Sequence, residues 1–92
     1  MTKEELVEKL EKVGLKGEWI NQDKYGFSRI YQFNLNNQTM QIEWYCNYST
    51  LIIGNIRFWF DDIRINNSYP EKGNWIEFSF RGEHPIHIKV SE

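Results

Sequence analysis

The sequence predicts an α+β domain in which one N-terminal helix packs on a strongly curved antiparallel sheet of about six strands. Three observations predict it. Six Phe, five Tyr and four Trp in 92 residues are a heavy aromatic load, and such side chains favour pleated, half-buried surfaces. Apolar residues repeat at helical spacing only near the N-terminus. From residue 17 to residue 90 they alternate in short runs, separated by turns rich in Gly, Asn and Asp. A chain of this length reads as one domain, 1–92, that buries only a modest core.

The helix is expected over about residues 3–13. Thr2 is a fair N-cap with Glu5 three residues later, Glu4 and Glu5 suit the first turn, and Lys9 and Lys12 suit the last. Leu6, Val7, Leu10 and Val13 form the apolar stripe, and Gly14 is a natural C-terminal cap. A short strand is expected around residues 17–21, followed by a turn at 23–26.

Residues 27–35 place Phe27, Tyr31, Phe33 and Leu35 on one face, with Ile30 as the exception; residues 38–48 do the same with Met40, Ile42, Trp44, Cys46 and Tyr48. If Asn36 and Asn37 form a tight left-handed loop, Phe33 faces Met40, Tyr31 faces Ile42 and Phe27 faces Cys46. Residues 49–65 change parity twice: Leu51 and Ile53, then Ile56, Phe58 and Phe60, then Ile63 and Ile65. The breaks fall at Gly54 and at Asp61-Asp62. Parity leaves Gly54-Asn55 open as a hairpin loop or as a bulge after a turn at Ser49-Thr50.

Residues 66–74 read as a loop. Ile76, Phe78 and Phe80 share one face, and Ile86, Ile88 and Val90 share another. A two-residue connection would set those faces against each other, so a three- or four-residue turn is expected around Gly82. Six strands at about 4.8 Å spacing make a sheet roughly 25 Å wide, whereas a helix is about 10 Å across. The sheet must therefore curl, fold into two layers, or leave part of its face to another chain. A curved sheet is the expectation, and homodimerisation through an edge or the uncovered face is the alternative.

Composition narrows function more than any motif does. The formal net charge of −2, with acids and bases interspersed, disfavours duplex DNA as a partner. One cysteine, Cys46, excludes an intramolecular disulfide and fits a reducing, cytoplasmic setting. Its apolar neighbours mark it as a small core residue. The charged, amphipathic N-terminus is unlike a secretory signal, and no run has membrane-spanning length.

His84 and His87 fall on opposite faces of a strand and lack further ligands, so no metal or other cofactor is expected. Asp61-Asp62 reads as a strand end. No glycine-rich phosphate loop and no selected acid–base pair is present, so no catalytic residue is assigned and the chain reads as non-enzymatic.

The outer face is expected to carry Tyr45, Arg57, Trp59, Asp61, Trp75, Glu77 and Arg81, with Glu43, His87 and Lys89 beside them. Trp, Tyr and Arg dominate binding hot spots. These seven are the candidate partner-binding residues, and the expected function is contact with another protein. An inhibitor or immunity-type protein of phage or mobile-element origin would have this size and composition. Single-stranded nucleic acid stacked on the same rings is the alternative, although Glu43, Asp61 and Glu77 would interrupt a positive stripe.

Overall fold

The computed structural model describes residues 1–20, 22–68 and 71–91. The expected strand end at Asn21 and the middle of the expected loop, at Tyr69 and Pro70, lie outside them, as does the side chain of His84. Among the described residues the chain forms one helix, α1 (Lys3–Glu11), and eight strands. The strands are β1 (Glu18–Ile20), β2 (Ile30–Leu35), β3 (Gln38–Trp44), β4 (Ser49–Ile53), β5 (Ile56–Phe60), β6 (Asp62–Asn66), β7 (Asn74–Phe80) and β8 (Glu83–Ser91). The fold is α+β with one N-terminal helix. The expected single sheet of about six strands is instead two antiparallel sheets, β1-β2-β3-β4-β5 and β6-β7-β8. The surplus of apolar face is covered by the second sheet: Leu6 and Leu10 of α1, Tyr31, Ile42, Leu51 and Phe60 of the first sheet, and Ile63, Ile76 and Phe78 of the second share one buried cluster.

Helix α1 starts where the Thr2 hydroxyl accepts the Glu5 N–H at 3.1 Å. It ends at Glu11, two residues before the expected limit, because residues 12–14 wind a Schellman cap. Gly14 takes φ +80°, its N–H donates to the Glu11 carbonyl at 3.0 Å, and the Leu15 N–H reaches back to Leu10 at 3.0 Å. Leu6 and Leu10 are fully buried, each contributing about 1.5–3 kcal/mol of transfer free energy.

In the first sheet Asn36 and Asn37 both take positive φ, 52° and 64°. Phe33 pairs with Met40 and Tyr31 with Ile42, in the expected register. Phe27 does not reach Cys46. β2 begins at Ile30 and leaves Phe27 on the surface, while β3 stops at Trp44 and turns through residues 45–48, closed by the Tyr45 N–H donating to the Tyr48 carbonyl at 3.1 Å. Cys46 and Tyr48, expected inside, are therefore exposed. Gly54-Asn55 is a two-residue hairpin loop, with Ile53 paired to Ile56. Ile56, expected in the core, is 68% exposed because it starts the edge strand β5, whereas Phe60 at its far end is fully buried.

The break at Asp61 is where the chain passes from one sheet to the other. Its N–H donates to the Ser79 carbonyl at 2.9 Å, and its carboxylate accepts the Arg81 N–H at 3.1 Å. Beyond it Ile63 is buried, but Ile65, on the same face of β6, is 43% exposed. The expected longer turn at Gly82 is a correction: Arg81-Gly82 is a two-residue loop with φ 53° and 72°. The parity conflict is resolved by a bulge, since Phe80 pairs with Glu83 and Phe78 with Ile86, so that Ser79 opposes two residues of β8. Pro85, which has no N–H to donate, stands in that bulge. Phe60 and Phe78 meet edge to face at 5.0 Å between the sheets, and the Asn36 amide donates to the Lys89 carbonyl at 3.2 Å.

Candidate functional site

The expected outer-face residues separate into two places. Tyr45, Trp59 and Arg81 join one row of rings that runs across the seam between the sheets. Tyr45 and Tyr48 stack at 5.3 Å with 25° between their planes. Tyr48 meets Trp59 at 5.3 Å, and Trp59 meets Phe80 edge-on at 6.3 Å. The turn at 45–48 presents the two tyrosines, the outer side of β5 presents Trp59, and the end of β7 presents Phe80. Trp59 is 58% exposed. A ring of this size left in water, beside others already held in place, is a low-entropy anchor for a partner.

Cations close both ends of the row. The Arg29 guanidinium lies 5.3 Å from the Tyr45 ring and 5.2 Å from Phe27, and Arg81 lies 5.2 Å from Phe80. Among the described residues neither the Arg29 nor the Arg81 guanidinium pairs with a carboxylate within 4.0 Å, although the Asp61 carboxylate meets the Arg81 backbone. Arg57 differs: it pairs with Glu43 at 3.9 Å, and Glu43 also accepts the Tyr45 hydroxyl at 2.9 Å. That hydrogen bond, followed by partial desolvation and the charge of Glu43, raises the Tyr45 hydroxyl above the ordinary tyrosine value. The same hydrogen bond directs the Tyr45 hydroxyl toward Glu43. Asp61 stands beside the row but is occupied by its backbone bond to Arg81.

Trp75 and Glu77 lie elsewhere, on the three-stranded sheet. The Trp75 indole N–H donates to the Glu71 carbonyl at 3.0 Å, and Lys89 lies 5.8 Å from its ring while pairing with Glu71 at 3.3 Å. Glu77 faces His87 at 3.7 Å, an ion pair when the imidazole is protonated. Charges here are matched within the chain, as in a self-supporting outer sheet face.

A third group surrounds Lys3, whose ammonium lies 3.7 Å from the Phe27 ring, 4.4 Å from Trp19 and 5.5 Å from Trp44, and donates to the Ser28 carbonyl. Burial, then the nearby charge of Arg29, lowers its pKa. Clefts of about 580 and 440 Å³ flank it. The ring cage is filled by the chain's own lysine, which ties α1 to the approach to β2.

Sequence reasoning missed Arg29, Tyr48 and Phe80. Tyr48 and Phe80 were assigned to the core by alternation. The signal that could have found Tyr48 is Asn47, a turn-favouring residue just before it, within a four-residue loop between the paired Trp44 and Ser49. Among the described residues no three His, Cys, Asp or Glu side chains gather as a metal site, and no helix is long and apolar enough to cross a membrane. A scan against protein-family models, a search of curated proteins and a search of solved structures each find no match to this chain.

Proposed function

We propose that the chain is a small non-enzymatic binding module that engages another protein through the row Tyr45, Tyr48, Trp59 and Phe80, and inhibits its target by covering it. The observation that supports this reading is the continuity of the row, with four rings in successive contact and Trp59 largely in water. Hot spots of protein interfaces are built from such clustered Trp, Tyr and Arg side chains. Trp59→Ala should weaken partner binding by about 2 kcal/mol or more, roughly thirtyfold in Kd, while Trp75→Ala leaves it within twofold. Calorimetric titration of a captured partner against both variants checks this, and equal losses from the two substitutions would sink the assignment.

A second reading, single-stranded nucleic acid, draws on the two arginines over rings that lack a carboxylate partner. Against it, Tyr45 and Tyr48 turn their faces to each other, and base stacking needs free faces. Glu43 and Asp61 beside the row also oppose a phosphate backbone.

A further inference from the structure

We propose that the groove beside α1 binds an aliphatic polyamine, one of whose ammonium groups takes the place of the Lys3 ammonium among the rings of Trp19, Phe27 and Trp44 while the next faces the helix acids Glu4, Glu8 and Glu11. The site is separate from the row of rings and stands whether or not that row binds a protein.

The cage is defined by what already sits in it. Rings from β1, from the approach to β2 and from the end of β3 surround the Lys3 Nζ at 4.4, 3.7 and 5.5 Å, within the range at which a ring face attracts a cation. The same ammonium donates to the Ser28 carbonyl. Several ring faces with one carbonyl acceptor suit an alkylammonium that keeps an N–H. Lys3 reaches this seat from the first turn of α1 on a long, rotatable side chain. The rings attract it, whereas burial and the charge of Arg29 oppose it, as its lowered pKa records. An outside ammonium that takes the seat lets Lys3 return to water, so the charge inside the cage is unchanged by the exchange.

The space around the lysine has the size of a small-molecule site. Clefts of about 580 and 440 Å³ lie on its two sides, and Lys3, Glu4 and Phe27 line both. The Lys3 side chain is therefore a bar across one groove. In the larger cleft Trp19 and Phe27 contribute rings, and Glu4, Glu8 and Glu11 contribute carboxylates from α1. These acids recur at intervals of four and three residues, so they share a helix face and step by about 6 and 4.5 Å along its axis. Nitrogens joined by three or four methylenes step by comparable distances. Glu8 also meets Lys12 at 3.8 Å, a mostly exposed pair of the kind that contributes little. Acids alone would be a solvated helix face; here they flank a cage in which an ammonium is already seated.

The test titrates spermidine, butylamine and 1,4-butanediol into the intact protein by calorimetry and tryptophan fluorescence. Salt at about 0.15 M screens diffuse attraction to the acidic chain. Spermidine should bind saturably, one per chain, at millimolar concentration or below, butylamine about tenfold more weakly, and butanediol not at all. Lys3→Met, which keeps an apolar stem and removes the resident cation, should tighten spermidine about fivefold or more. Trp19→Leu, and Glu8→Gln with Glu11→Gln, should each weaken it about tenfold, while Trp75→Ala leaves it within twofold. Circular dichroism and thermal melting establish that each variant is folded, and Lys3→Gln replaces Lys3→Met if the latter unfolds. No saturable binding to the native chain below about 10 mM spermidine overturns the proposal. So does equal affinity with and without the Lys3 ammonium, or binding indifferent to Trp19. A lysine-rich peptide that binds where spermidine does not would assign the groove to a protein instead and overturn it as well.

Discussion

Gly17 approaches β2 so closely that a Cβ there would lie 2.0 Å from the Gln32 carbonyl oxygen and 2.9 Å from the Phe33 Cβ. Its N–H donates to the Tyr31 hydroxyl at 2.7 Å, which lets the buried ring of Tyr31 keep a polar group inside the core. The obstructing atoms are mainly backbone and cannot swing aside. Gly17→Ala should therefore destabilise the fold by roughly 1–3 kcal/mol, the cost of forcing extra atoms into a packed site. The expected readout is a lower urea midpoint with an unchanged m-value; an unchanged midpoint would show that β1 can shift outward freely. The sequence places Gly17 at the start of an expected strand, but nothing in it marked this contact, which depends on how closely that segment approaches β2.

At the scale of elements, α1 is tied to β6 through Asp62, which meets Lys9 at 3.4 Å and Arg64 at 3.0 Å. Burial alone would raise the Asp62 carboxyl, but the hydrogen bond from Arg64 and the charge and hydrogen bond of Lys9 outweigh it and hold it below the ordinary aspartate value of 3.8. A carboxyl depressed in the folded state adds stability that is fully present above 3.8 and lost as pH falls through the lower folded value. Asp62→Asn should thus cost about 0.2–1 kcal/mol at pH 7, the range for partly exposed pairs. The variant and the native protein should converge well below pH 3.8. Urea titrations at the two pH values check it; a gap that persists in acid would mean the loss is not electrostatic.

Elements were legible where alternation and turn chemistry agreed. Asn36-Asn37 and the Tyr31 to Ile42 register are the clearest instance. They were illegible where alternation ran straight through a turn, at 45–48, or where two irregularities cancelled. At Arg81-Gly82 the bulge opposite Ser79 restores the parity that the short loop breaks, and parity counting reports only the sum.

At the scale of the whole molecule, periodicity told which side of a strand a residue takes but not which sheet the strand joins. Tyr45, Trp59 and Arg81 therefore come together as expected of one surface, while Trp75 and Glu77, of the same outward parity, stand on the second sheet. The strand change at Asp61 was visible as a parity break; that it divides two sheets depends on long-range pairing that no local pattern encodes.

The contact of Trp59 with Phe80 joins a ring on β5 to a ring at the end of β7, so the row straddles two sheets linked in the chain by Asp61 alone. Anything that covers the row therefore clamps the seam shut. Local opening of a domain falls at the junctions of its cooperative units, and a ligand that binds only the closed form suppresses it by mass action. The Asp61 amide, bonded to Ser79, and the Arg81 amide, bonded to the Asp61 carboxylate, should exchange hydrogen with solvent more slowly in the complex than in the free chain. Protection confined to the turn at 45–48 would show instead that a partner holds only one sheet. A surface that binds across a seam makes the target itself a part of what holds the two halves together.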